Sequence, residues 1–152
     1  MSMNLKEREL VAIGISVAAG CKPCTDHHVT VARKAGVTVD EIRQAINDAD
    51  VVRRSTVDLI EDHALALIGE DLEVIGCTFS SEPSRITALV SVGSAIAVNC
   101  VSSLEYYLAE AEVSGVTEDD IRQIVDLAAF IKQRAASHVE RYMSMTEKQI
   151  AA

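Results

Sequence analysis

The chain has 152 residues, of which 49% are apolar but only 3% aromatic, and it contains no tryptophan. That length buries a core without disulfide staples, and the core has to be built from Ala, Val, Ile and Leu. Acidic residues outnumber basic ones 23 to 14, for a net charge of −9, and no Lys/Arg run forms a basic stripe, which excludes the electrostatic footprint of a protein that binds nucleic acid or an anionic membrane.

Two prolines and seven glycines leave few breaks, a composition that favours long helices over many short strands. The fold class is therefore read as all-α. Residues 1–9 are polar and charged and do not read as a signal peptide. The longest apolar runs, such as residues 89–98, are about half of a membrane span. A cytoplasmic location is the expectation.

In chain order, an apolar helix is predicted over about residues 5–19. A second begins near Cys21 and ends at Gly36, the residue type favoured just past a helix end. Thr38-Val39-Asp40-Glu41 reads as a capping box. It opens a third helix, with Ile42, Ala45, Ile46 and Ala49 at the three- and four-residue steps of a buried stripe. A further helix is predicted over about residues 55–68, followed by a turn-rich linker.

The plan then repeats. An apolar helix covers about residues 84–98, a second helix ends at Gly115, and Thr117-Glu118-Asp119-Asp120 forms another capping box. The last helix, with Ile121, Ile124, Val125 and Ala128 on its stripe, is predicted to run from Glu118 toward Met143, with residues 146–152 frayed. Sliding the chain by 79 residues aligns Leu10-Val11 with Leu89-Val90, Gly14 with Gly93, and Cys21 with Cys100. Gly36-Val37-Thr38 meets Gly115-Val116-Thr117, and Ile42-Arg43-Gln44 meets Ile121-Arg122-Gln123, without a gap. The chain reads as one domain over residues 1–152, made of two tandem copies of a helical unit. Repeat 1 covers about residues 5–69, the linker about 70–83 and repeat 2 about 84–145.

The copies differ where reactive groups stand. Cys24 is replaced by Ser103, His28 by Tyr107, Glu9 by Ala88, and Lys22-Pro23 by Val101-Ser102. Scaffold residues match while the polar set does not, as expected if the first copy carries chemistry and the second carries structure.

Cys21-Lys22-Pro23-Cys24 is a C-x-x-C pair, which in a loop-poor chain of this kind points to redox chemistry or a metal. A thiolate, not a thiol, attacks peroxides and disulfides, so a redox site has to lower a cysteine pKa. Gly20 suits the end of one helix and Pro23 the first position of the next. Cys24 then falls in the first turn, where free N–H groups favour an anion. His28 lies four residues on, over the same face, as base or cationic partner, and Lys22 adds a positive charge. The pair can also close locally to a disulfide and so resolve an oxidised sulfur.

Two other readings stand beside this one. Cys21, Cys24 and His28 (or His27) could hold zinc, with Glu9 or His63 as a fourth ligand, although no second paired ligand group accompanies them. The chain could also be a non-catalytic helical assembly module. His27 points about 100° away from His28 on a helix. His63 and His138 read as solvated helix residues, Cys100 as buried and inert, and Cys77 as a linker thiol with no visible partner. Tyr106 and Tyr107 read as packing residues. On spacing alone, Glu9 reads as a solvated carboxylate. No nucleotide, flavin or haem signature is present, and no cofactor is expected.

Glu9 followed by Cys21-x-x-Cys24-x-x-x-His28 resembles the signature of the AhpD-like alkyl hydroperoxidases, in the carboxymuconolactone decarboxylase superfamily. The motif segment covers about residues 9–36, and the helical plan covers most of the chain. The resemblance implies an AhpD-like helical fold whose second copy is degenerate, and peroxidase or disulfide-reductase activity. It further implies that Cys24 attacks a hydroperoxide, that Cys21 resolves the sulfenic acid to a disulfide, and that His28 and Glu9 form a proton relay. A dithiol, such as a lipoylated protein, would supply electrons, and the chain would assemble as a homo-oligomer, a trimer or hexamer. The lactone decarboxylase branch generally works without a redox C-x-x-C, so that activity is not expected.

Overall fold

The computed structural model describes residues 2–70 and 83–152, and these residues form six α-helices and no strand. In order they are α1 (Leu5–Ala18), α2 (Lys22–Lys34), α3 (Val39–Leu67), α4 (Arg85–Ala97), α5 (Val101–Val113) and α6 (Glu118–Ala151). The all-α class holds. The linker expected over about residues 70–83, with Cys77, lies outside the described residues except at its two ends. Among the described residues no helix is long and apolar enough to cross a membrane.

Helix starts follow side-chain chemistry. Thr38 caps α3 and Thr117 caps α6, each in a reciprocal capping box with the residue three positions on, Glu41 and Asp120. Asn4 and Glu7 make a third box at the start of α1, which the sequence reading did not single out. The ends of α2 and α5 and the caps of α3 and α6 differ by the same 79 positions as the matched residues.

Two boundaries depart from expectation. α3 runs unbroken over 29 residues where two helices were expected. Nothing between Ala49 and Ser55 breaks it: no Gly or Pro intervenes, Arg54 pairs with Asp50 at 2.7 Å, and Ser55 Oγ donates back to the Val52 carbonyl. α6 likewise continues to Ala151 through the segment expected to fray. It meets no Gly or Pro after Glu118, and Thr146 Oγ1 donates to the Tyr142 carbonyl.

The core sits where α1 and α4 cross. Val11, Ile13, Ile15, Leu89, Val90 and Val92 are fully buried there. The two helices meet glycine to side chain in both directions. A Cβ on Gly14 would lie 2.6 Å from Val90 Cγ1, and one on Gly93 would lie 2.9 Å from Ile15 Cγ1 and 3.0 Å from Val11 Cγ1. These contacts are too short for any methyl group, so the absence of a side chain sets the spacing. Around this pair, α2 and α3 pack on α1, α5 packs on α4, and α6 touches both central helices.

One charged cluster ties three helix starts together. Arg85, at the start of α4, donates from Nη1 and Nη2 to the two carboxylate oxygens of Asp120 at 2.9 and 3.0 Å, and from Nε to Glu7 at 3.1 Å. Asp120 is fully buried and also accepts the Thr117 N–H. Burial opposes its ionisation, but the hydrogen bonds from Arg85 and Thr117 prevail and hold its pKa at about 2, below the ordinary 3.8. The folded-state carboxyl titrates below its unfolded value, so its stabilisation is complete above about pH 4 and is lost as pH falls toward 2.

Two stability measurements check this account. Gly14→Ala should destabilise by about 1–2 kcal/mol in chemical denaturation, despite alanine's better helix propensity, because the methyl overpacks Val90. Asp120→Asn should cost about 2 kcal/mol at pH 7, with the wild-type and variant stabilities converging as pH falls below about 3.

Candidate functional site

The turn between α1 and α2 delivers the cysteine pair. α1 ends with Gly20 at φ +69°, a left-handed conformation that glycine takes without cost. The Gly20 N–H reaches the Val17 carbonyl and the Cys21 N–H reaches the Ser16 carbonyl, each at 3.0 Å, the two bonds of a Schellman ending. Cys21 is thereby fixed as the N-cap of α2, with Lys22 and Pro23 as the first two helical residues. This shifts the register expected from the sequence by one, since Pro23 is second rather than first.

The consequence is chemical. Cys21 Sγ accepts the Cys24 backbone N–H at 3.2 Å, in the place a Ser or Asp oxygen usually takes. The helix end therefore serves the sulfur of Cys21 directly, and not that of Cys24 as the spacing suggested. Both cysteines are buried and joined in a disulfide, with their Cα atoms 5.3 Å apart. That separation lies in the ordinary range for such a bond.

Glu9 is buried on α1, and its Oε2 lies 2.9 Å from Nδ1 of His28 on α2. The solvated reading from spacing is thus corrected. The carboxylate faces α2 because α1 is buried from residue 9 through residue 16. An ionised Glu9 requires the proton on His28 Nδ1, which leaves Nε2 as the lone-pair nitrogen.

Two clefts open beside the disulfide. One, of about 330 Å³, is bordered by Cys24, His28, His27, Arg134 and Phe130 among others. The second, of about 550 Å³, is bordered by Cys21, Lys22, Lys132 and Tyr142. Pro23 and His138 border both. The structure thus brings Cys24 and His28 to one cleft and Cys21 to the other, with Glu9 lining neither. His27 is exposed, and its ring stands edge-on to His28 at 4.9 Å.

His138 is the residue that sequence reasoning missed. It was read as a solvated helix residue, and it is exposed, yet one of its ring nitrogens and the sulfurs of Cys21 and Cys24 lie within 4.8 Å of one another. This is the set among the described residues with metal-ligand spacing, in place of the one expected around His28. His63 is exposed on the far part of α3 and joins no such group.

The positions 79 residues further on lack these features. Cys100 stands at the N-cap of α5 as Cys21 does at α2, but its side chain makes no capping hydrogen bond, and Asn99 at φ +58° takes the place of Gly20. Cys100 is buried and free, and the Ser103 hydroxyl holds its thiol below the ordinary range. Tyr107 is buried at the position matching His28, whereas Tyr106 is partly exposed and its hydroxyl donates to Glu110.

Residues 2–59 match the sequence model of the Carboxymuconolactone decarboxylase family, which includes AhpD-like proteins. The matched stretch contains Glu9, Cys21, Cys24 and His28. No curated protein and no solved structure matches the chain significantly.

Proposed function

With residues 2–59 assigned to the carboxymuconolactone decarboxylase family, we propose that the chain is a thiol-dependent oxidoreductase that reduces peroxides or disulfides through Cys21 and Cys24. The observation that carries this reading is the Glu9–His28 pair, 2.9 Å apart across α1 and α2, with His28 on the helix whose N-cap and first turn hold the disulfide.

In the reduced state the Cys24 thiolate attacks the outer oxygen of a hydroperoxide. The O–O bond breaks, His28 passes to the leaving alcohol the proton it took from the Cys24 thiol, and Cys24 becomes a sulfenic acid. Cys21 then attacks the Cys24 sulfur, water leaves, and the disulfide forms. Glu9 acts through His28: its carboxylate fixes the tautomer and stabilises the imidazolium, so it is a positioning residue. An external dithiol closes the cycle by attacking Cys24. The sulfur released is then Cys21, whose thiolate accepts the Cys24 N–H at the helix end. The two sulfurs thus have different tasks, one at the cleft with His28 and one on the cap.

A second reading rests on one observation. Cys21, Cys24 and His138 offer three soft-to-borderline ligand atoms within 4.8 Å of one another, which in the reduced protein could hold zinc with one position open.

Reduced protein treated with one equivalent of hydroperoxide should lose two thiols, recovered by mass spectrometry as a Cys21–Cys24 bond and abolished in Cys24→Ser. In stopped-flow, His28→Gln should slow thiol oxidation by about 100-fold. Glu9→Gln, which acts only through His28, should slow it by about tenfold. Thiols that resist peroxide and react only after chelation would establish the zinc site instead.

A further inference from the structure

The charge around the cysteine pair runs against that of the chain. Acidic residues outnumber Lys and Arg 23 to 14, yet no Asp or Glu borders either cleft. Arg134 and Arg141 border the cleft at Cys24, and Lys22 and Lys132 border the one at Cys21. Among the described residues none of these four makes an ion pair. Lys132 donates to the Ile96 carbonyl and to Asn99, and the Arg134 guanidinium lies 5.5 Å from the centroid of the Phe130 ring. Those partners are neutral. Glu9, the carboxylate of the mechanism above, is buried and already bonded to His28.

A cleft with one polarity and low-dielectric walls concentrates ligands of the opposite charge. At Cys24 the walls also include Phe130, Ile131 and Pro23. The guanidinium fork matches a carboxylate with two parallel hydrogen bonds. We propose that the cleft at Cys24 binds an anionic organic hydroperoxide, with its carboxylate held by Arg134 and Arg141 and its hydrocarbon body against Phe130 and Ile131. This rests on the thiol-peroxidase reading and names its substrate class. The reaction balances as before. The Cys24–oxygen bond forms as the O–O bond breaks, and the alcohol leaves with a proton. Cys21 then displaces water from Cys24, so the dithiol gives up two electrons and two protons. An external dithiol restores it.

The test uses a matched pair of probes, cumene hydroperoxide and the same molecule bearing a para-carboxylate. With the full chain in its reduced form, the carboxylated probe should be reduced at least about tenfold more efficiently at low salt. The advantage should shrink as ionic strength rises. In the Arg134→Gln/Arg141→Gln variant the ratio of the two rates should fall to within about twofold of one, the loss expected when a charged hydrogen-bonding partner is removed. Equal rates in the wild type, or a preference that survives in the variant, would overturn the proposal.

Calorimetry on the disulfide form, with the alcohol product of the carboxylated probe, examines the cleft without turnover. Binding that weakens at least about tenfold in the variant, with neither peroxide reduced, would retire the peroxidase step and support the anion site. Neither binding nor turnover would overturn both.

Discussion

The close crossing of α1 and α4 determines where the reactive groups can go. At Gly14 and Gly93 each helix accepts side chains of the other where a methyl would collide. That contact buries α1 on nearly all sides, so a polar residue on it has to find a partner inside the protein. Glu9 finds His28. The same burial holds the end of α1 rigid, and the Schellman bonds at Gly20 pass that rigidity to Cys21. The acid–base pair and the cysteine pair are thus both placed by one helix, one by a side chain in its first turns and the other by its C-terminal turn.

The positions 79 residues beyond Glu9, Cys24 and His28 carry different side chains. Ala88 stands where Glu9 stands in the first copy, which removes the buried charge, and Tyr107 fills the space of His28. The hydroxyl of Tyr107 lies 3.4 Å from Ser55 Oγ, and Ser103, in the place of Cys24, lies 2.7 Å from Thr56 Oγ1. Neutral hydroxyls that satisfy one another replace a carboxylate–imidazole pair and a dithiol. The first 60 residues instead hold the buried Glu9 carboxylate against the His28 imidazole.

Much of this was legible in local sequence because local chemistry decides it. Thr38 and Thr117 cap helices through bonds to residues three positions away, and Gly36 and Gly115 lie just past helix ends. The cysteine pair and His28 share one helix, so their spacing gives their proximity. Glu9 was misread on spacing because its environment depends on how α1 packs, and only the family pattern pointed to His28. His138 gave no signal at all. It lies on a solvent-facing stretch of α6, more than a hundred residues beyond Cys24, and only the packing of α6 against α1, α2 and α4 brings it to the sulfurs. The one-residue shift at Pro23 has a similar origin. Proline is tolerated throughout the first turn, where its missing N–H has no intrahelical acceptor, so the residue type alone does not fix the position.

The shift matters for how the proposed cycle would run. Had Pro23 opened the helix, the cap would have been Lys22, and neither sulfur would sit in the capping position. With Cys21 as cap, the group that leaves when an external dithiol attacks is the one already bonded to a backbone N–H. Its backbone is pinned by the α1 ending, so opening and closing the S–S bond requires only side-chain movement within one turn. Cys24 is held by helical hydrogen bonds three residues further on. It borders the smaller cleft together with His28 and Pro23. In the proposed cycle the chemistry that needs a proton donor and a substrate would fall on Cys24, and the chemistry that needs a stable thiolate on Cys21. That division follows from which residue caps α2.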